Sequence, residues 1–190
     1  MPKKLRRVAE KPPRTRPNAL RVAILVEDHY EDLELQYPRL RLLEHGVEVV
    51  VAGPGRGKYS GKHGYPQKED VTFEALSASA LDGIVIPGGW APDRLRRSRV
   101  VLNLVAELDR RGALVASICH GPWVPVSAGI VRGRRMTSVG AIRDDVVNAG
   151  ALWSDEAVVV DRNLVSSRTP DDLPEFCRAM LRFLDERAAR

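Results

Sequence analysis

From residue 21 onward, short apolar runs alternate with amphipathic stretches. Residues 22–26, Val-Ala-Ile-Leu-Val, are a β-rich run bounded by charge, the pattern of a central parallel strand buried on both faces. Residues 31–45 follow with Leu33, Tyr37, Leu40 and Leu43 at helical spacing. Pro38 inside that pattern predicts a kink, and Gly46 closes it in the usual C-terminal position. Strands are predicted at 47–51, near residue 71, at 81–86 and at 113–118, with a glycine- and lysine-rich loop over 53–64. An amphipathic helix over 100–110 ends at Gly112. A short strand at 136–138, a helix over 142–149, strands at 157–160 and 164–166 and a closing helix over 170–187 complete the chain. Such alternation implies a doubly wound α/β sandwich that binds ligands at the C-terminal ends of its strands.

The chain is organised around the run from Ala113 to Pro122. A buried strand stops at Cys119, His120 and Gly121 turn sharply, and Pro122 suits the first turn of a helix, where a missing N–H costs nothing. A lone cysteine is usually a small buried hydrophobe. A thiol at a strand-to-helix turn, beside a histidine and a helix N-terminus that favours thiolate, reads instead as a nucleophile. Strand ends at Glu31, at Gly88-Gly89 and at Cys119-His120 fall on one edge, so these residues can line one pocket. Glu31 is either an acid at a helix N-terminus or a carboxyl that a nearby thiolate keeps protonated, able to donate to the sulfur. Amides at the Gly88-Gly89 turn and at His120 are candidate oxyanion donors, and Trp90 is a candidate wall of the pocket.

Composition narrows the class. The chain has 190 residues, 44% hydrophobic and 29% charged, enough for one globular domain with a substantial core. No apolar run reaches the ~18 residues of a membrane span, and no secretory-type apolar stretch opens the chain, so a cytoplasmic location is expected. Two cysteines, Cys119 and Cys177, form neither a disulfide framework nor a CxxC pair, and no metal and no cofactor are expected. Cys177, between Phe176 and Met180, reads as core filler.

The net charge of +5 is misleading until it is located: residues 1–20 carry seven basic residues against Glu10, so the remainder is close to neutral at −1. The domain from residue 20 to 190 therefore does not look like a nucleic-acid binder. Residues 1–19, with Pro2, Pro12, Pro13 and Pro17, read as a basic arm. That arm is a solvated tail, a contact for nucleic acid or another acidic partner, or a strap over a neighbouring subunit. The four histidines are His29, His45, His63 and His120, and none follows residue 120. A triad with a distant downstream histidine, as in class I glutamine amidotransferases, cannot be assembled.

Several motifs occur in order: Glu31-Asp32-Leu33-Glu34, Tyr37-Pro38, Gly61-Lys62-His63-Gly64-Tyr65, Pro87-Gly88-Gly89-Trp90-Ala91-Pro92-Asp93, Ala116-Ser117-Ile118-Cys119-His120-Gly121-Pro122 and Asp144 through Gly150. Together they resemble the PfpI intracellular protease subgroup of the ThiJ/PfpI superfamily. The resemblance implies a flavodoxin-like three-layer sandwich with a mostly parallel central sheet and Cys119 as nucleophile on a strained elbow. It implies His120 as the adjacent base, Glu31 as the protonated partner of the sulfur, and Gly89 with the His120 amide as oxyanion donors. It further implies that Asp93 orients the histidine across a subunit boundary in a homodimer or hexamer. The activity implied is a cysteine-dependent, peptidase-type hydrolase of the stress response. The alternatives are a glutathione-independent glyoxalase or a deglycase of methylglyoxal adducts, or a non-enzymatic redox-sensing chaperone. Substrates would be a peptide, a small aldehyde or a glycated amine. Two departures stand out: Val139-Gly140 replaces a Tyr-Pro common in relatives, and Pro125 lies in the helix after the elbow, which it should distort.

Overall fold

The computed structural model describes residues 20–189, and the basic arm expected over residues 1–19 lies outside them. In chain order the elements are β1 (Arg21–Leu25), α1 (Asp32–Glu44), β2 (Glu48–Gly53), β3 (Lys58–Ser60), β4 (Pro66–Lys68), β5 (Val71–Thr72), β6 (Gly83–Ile86), α2 (Ala91–Leu95) and α3 (Arg99–Arg110). Next come β7 (Leu114–Ile118), α4 (Trp123–Ser127), β8 (Arg135–Met136), α5 (Arg143–Asn148), β9 (Leu152–Trp153), β10 (Val158–Asp161), β11 (Leu164–Ser167) and α6 (Leu173–Ala188).

Seven strands form one sheet in the order β10-β11-β7-β6-β1-β2-β5, parallel throughout except for the β10–β11 hairpin at one edge. The central strands β6 and β7 are buried along their whole length, which is why they read as unbroken apolar runs. Helices α1 and α6 pack on each other along one side of the sheet, and α3 packs on β6 and β7 with α4 and α2 beside it. Ser98 caps α3, its side chain accepting from Val101 N. Val101, Leu104, Val105 and Leu108 are the buried stripe of that helix, at the spacing a core-facing helix requires. The α/β sandwich with a mostly parallel sheet, expected from the alternation of elements, is the fold of this chain.

Two local expectations need correction. The face of α1 that meets the core is Glu34, Leu35, Pro38 and Leu42, whereas the predicted stripe of Leu33, Tyr37, Leu40 and Leu43 faces outward. The segment read as a loop over 53–64 contains β3, which pairs antiparallel with β4. The distortion expected after the elbow is present, since that helix is only five residues long: Pro125 has no N–H to continue it, and the chain turns out at Gly129.

The strand order sets the site. Because β6 lies between β1 and β7, the segments leaving their C-terminal ends converge on one edge of the sheet. These segments carry Glu31 and Glu34, Gly88 to Trp90, and Cys119 with His120.

Candidate active site

Cys119 has φ 62, a conformation that strains any residue bearing a Cβ. The elbow is held from both sides: Cys119 N donates to Ser167 O at 3.1 Å, and Val139 N donates to Cys119 O at 3.2 Å. Gly121 closes the turn, donating to Ile118 O at 2.7 Å, and a Cβ there would lie 2.4 Å from Ile86 O. The Val139-Gly140 segment thus supports the nucleophile through its backbone.

His120 Nδ1 lies 3.2 Å from Cys119 Sγ, the nucleophile–base contact expected of neighbouring residues on this turn. Burial first, and the charge of Lys62 second, hold the imidazole below its ordinary range, so it is neutral and able to accept a proton at neutral pH. Among the described residues no hydrogen bond to its other nitrogen is formed.

The carboxyl against the sulfur is Glu34. Glu31, predicted for that role, points elsewhere: its Oε2 accepts from Lys62 Nζ at 3.3 Å, its Oε1 lies 3.5 Å from His63 Nε2, and its backbone N donates to Gly88 O. One helical turn separates the two acids, and the turn that faces the sheet carries Glu34. Its Oε2 accepts from Gly88 N at 2.7 Å. A Cβ on Gly88 would lie 2.6 Å from both Cys119 Cβ and Glu34 Oε2, so only glycine lets thiol and carboxyl meet. This bond also corrects the expectation for Gly88, whose N–H is committed to Glu34 rather than free for an oxyanion. The amides of Gly89 and His120 are the ones that face the sulfur.

Burial pushes Glu34 up to about 8, aided by the charge of Glu31 and opposed by the Gly88 N–H. Burial also pushes the Cys119 thiol up, to about 12, and a charged Glu34 adds to this, while the Gly89 and His120 amides oppose it. The two groups therefore compete for protons, and when Glu34 holds one its charge no longer opposes the thiolate. The thiolate-favouring helix terminus expected from sequence is outweighed, because α4 is short and the half-buried thiol loses hydration.

Lys62 and His63, flagged in sequence only as part of a motif, sit on a tight loop at the mouth. Asp32 Oδ2 and Oδ1 accept from His63 N at 2.9 Å and Tyr65 N at 2.8 Å, and Tyr30 OH donates to Tyr65 O at 2.6 Å. Glu31, Asp32 and His63 bring three donor atoms within 4.8 Å of one another, but both Asp32 oxygens are occupied by this loop and Glu31 by Lys62. They act as a clasp. Lys62 was legible only as a cation between the two glycines of a Gly-x-x-Gly turn.

Trp90 is bound through its backbone, its N donating to His29 O at 2.8 Å, and its indole stands at the rim beside His120. Asp93, on α2, is half-exposed and pairs with Arg97 of its own chain. A cavity of about 440 Å³, lined by Asp109, Arg110, Gly112, Arg162, Asn163 and Arg187 among others, lies at the opposite edge of the sheet. It contains no nucleophile.

A strained cysteine at the C-terminal edge of a doubly wound sheet, with a neighbouring imidazole and a buried carboxyl, defines a cysteine-centred α/β enzyme. The chain belongs to the DJ-1/PfpI family, whose model matches residues 20–183. It is 47% identical over 165 residues to a deglycase of Pyrococcus abyssi, covering 87% of this chain and 99% of the relative. It is 39% identical to protein/nucleic acid deglycase 2 of Escherichia coli over 86% of this chain and 97% of that protein. Among solved structures, a two-domain protein of Anabaena variabilis with DJ-1/ThiJ/PfpI-like and ferritin-like domains superposes with a TM-score of 0.86 at 44% identity. The superposition covers 87% of this chain and 48% of that one, so the present chain spans about half its length.

Proposed function

We propose that this chain is a cysteine-dependent deglycase, a hydrolase that frees amines from their adducts with α-oxoaldehydes. The observation that carries the reading is the 3.2 Å contact of Cys119 Sγ with a neutral His120, beside a thiol held protonated by burial. Cleaving a peptide amide demands an activated thiolate, which this site does not favour at rest. An aldehyde or α-oxo carbonyl is a much better electrophile. The sulfur adds to the carbonyl carbon as its proton passes to His120, and the C=O π pair moves to oxygen. That oxygen then recovers the proton from His120. The adjacent carbinol O–H next gives its proton to His120 as its electron pair forms an aldehyde C=O. The C–N bond breaks with its pair going to nitrogen, and the nitrogen takes the proton from His120 and leaves as the free amine. The amides of Gly89 and His120 can meet the developing negative charge, and Glu34 supplies a further proton beside the sulfur. The deglycases among the relatives support the same reading.

The peptidase reading keeps one specific foothold. Among the described residues His120 has no orienting acid, and Asp93 is half-exposed on a short helix next to the Trp90-Ala91-Pro92 surface. In a homodimer or larger assembly, Asp93 of a second copy would supply that acid. The test is side by side: methylglyoxal adducts of N-acetylarginine and N-acetyl-lysine, methylglyoxal alone, and fluorogenic peptides. Release of free amine that disappears in Cys119→Ser is the expected result. Cys119-dependent peptide cleavage without release of amine would overturn the proposal.

A further inference from the structure

The two edges of the seven-stranded sheet are finished differently. At one end β5 is two residues long and flanked by Glu69, Asp70 and Glu74, which blunts it against further pairing. At the other end β10 follows Ala157 with three valines in a row and carries no charge before Asp161. The bonding of its inner neighbour shows where its backbone groups point. Asn163 O and Ser167 O accept from Val115 N and Cys119 N, so the odd-numbered residues of β11 face β7. Leu164 and Ser166 then bond β10 through their register partners, Asp161 and Val159. The N–H and C=O groups of Val158 and Val160 therefore point to the open edge. Among the described residues, Arg135 Nη2 reaches Val160 O at 3.2 Å, whereas Val158 N, Val158 O and Val160 N meet no partner.

The side chains of Val158 and Val160 line a groove of about 330 Å³ with Glu175, Arg178, Ala179 and Arg182 of α6, and Val160 is 40% exposed. A strand laid along the edge would fill that groove with its own alternate side chains. Helix α6 packs on β11 and returns antiparallel to it, so it runs in the direction of β10. Glu175 therefore stands towards the Val158 end of the groove and Arg182 towards the Val160 end. We infer that this edge binds a second copy of the chain, β10 pairing antiparallel with the partner's β10 about a two-fold axis at Val159. In that register Val158 lies opposite the partner's Val160, which gives each open backbone group a partner and sets valine against valine across the seam. The same axis brings Glu175 towards the partner's Arg182, so the charges on α6 agree with the register that the backbone requires. A parallel strand would set Glu175 beside the partner's Glu175 instead. None of these residues belongs to the cysteine site.

The test follows mass by sedimentation velocity over a wide concentration range, together with hydrogen exchange at the Val158 and Val160 amides. Wild type should associate through this edge, and both amides should become protected as concentration rises. Val158→Pro removes an edge N–H that β11 does not use, and Val160→Lys places a cation in the groove. Each should shift the assembly to a smaller mass while far-UV circular dichroism and alkylation of Cys119 stay as in wild type. Arg182→Glu should weaken association at least about tenfold by setting like charges together, and adding Glu175→Arg to the same chain should restore it. Masses that none of these substitutions changes would overturn the inference, as would a double variant no better than Arg182→Glu. The exchange measurement decides even where a variant fails to fold. Amides unprotected at every concentration refute the pairing, and protection independent of concentration assigns the edge to residues 1–19 of the same chain rather than to a second copy.

Discussion

Replacing Glu34 by Gln should remove a pH dependence of stability that is built into the site. Glu34 is fully enclosed, and its carboxyl is raised from 4.5 to about 8, chiefly by burial. A carboxyl raised in the folded state keeps a proton that the unfolded chain has released. Between those two values the native state therefore binds more protons, and its stability falls as pH rises. Below 4.5 both states are protonated and the group contributes nothing; above about 8 the full penalty is present. At about 1.4 kcal/mol per pH unit, the interval sets a ceiling of roughly 5 kcal/mol. Competition with the Cys119 thiol reduces it, leaving a loss on the order of 2–4 kcal/mol by pH 9. Urea unfolding of wild type and Glu34→Gln, read across pH 5 to 9, should show similar stability at the acid end and a growing advantage for the variant at the alkaline end. Alkylation of Cys119 should move to lower pH in the same variant, since the neighbouring charge can no longer form. Glu31→Gln is the control: Glu31 lies a turn away, paired with Lys62, and its loss should shift both curves only slightly. A stability difference between wild type and Glu34→Gln that stayed constant from pH 5 to 9 would refute the reasoning.

Iodoacetamide should label Cys119 well before Cys177, because the first is partly open and has an imidazole to take its proton while the second is enclosed in α6; equal labelling in the native protein would contradict this. Lys62→Met should raise the acid-side inflection of the pH–rate profile, since Lys62 is one of the two causes that hold His120 below its usual range, and Lys62→Arg should leave it in place. Gly88→Ala should cost at least tenfold in turnover, because the added methyl would sit 2.6 Å from Cys119 Cβ and Glu34 Oε2, with unchanged turnover counting against the contact. Mixing Asp93→Ala subunits with Cys119→Ala subunits should restore a fraction of the activity if Asp93 serves a neighbour's histidine, and mixed oligomers that stay inactive would show that His120 is oriented within its own chain.

The elbow and the sheet were legible because both depend on patterns that few alternatives satisfy. β6 and β7 are buried on both faces and so are apolar at almost every position, and an apolar strand ending in Cys-His-Gly-Pro leaves the chain little choice but to turn into a helix. Helix α1 was not legible in the same way, and its buried face carries the acid that position after the first strand does not indicate. Leu33, Tyr37, Leu40 and Leu43 repeat at helical spacing, but Leu33 and Leu40 are each 58% exposed. The core takes the stripe through Glu34, Leu35, Pro38 and Leu42, which includes a carboxyl and a proline and so scores poorly as an apolar face. Position directly after the first strand points to Glu31, whereas the acid on the buried face is Glu34, one turn further along the helix. Hydrophobicity selects the wrong face here because the right one carries the chemistry. A carboxyl can occupy that stripe only where Gly88 N–H and the Cys119 thiol receive it, on strand ends far away in sequence. The apolar residues left outside by this arrangement remain uncovered in the single chain, which is why Glu34, rather than any leucine of α1, is the residue whose substitution tests how this helix is oriented.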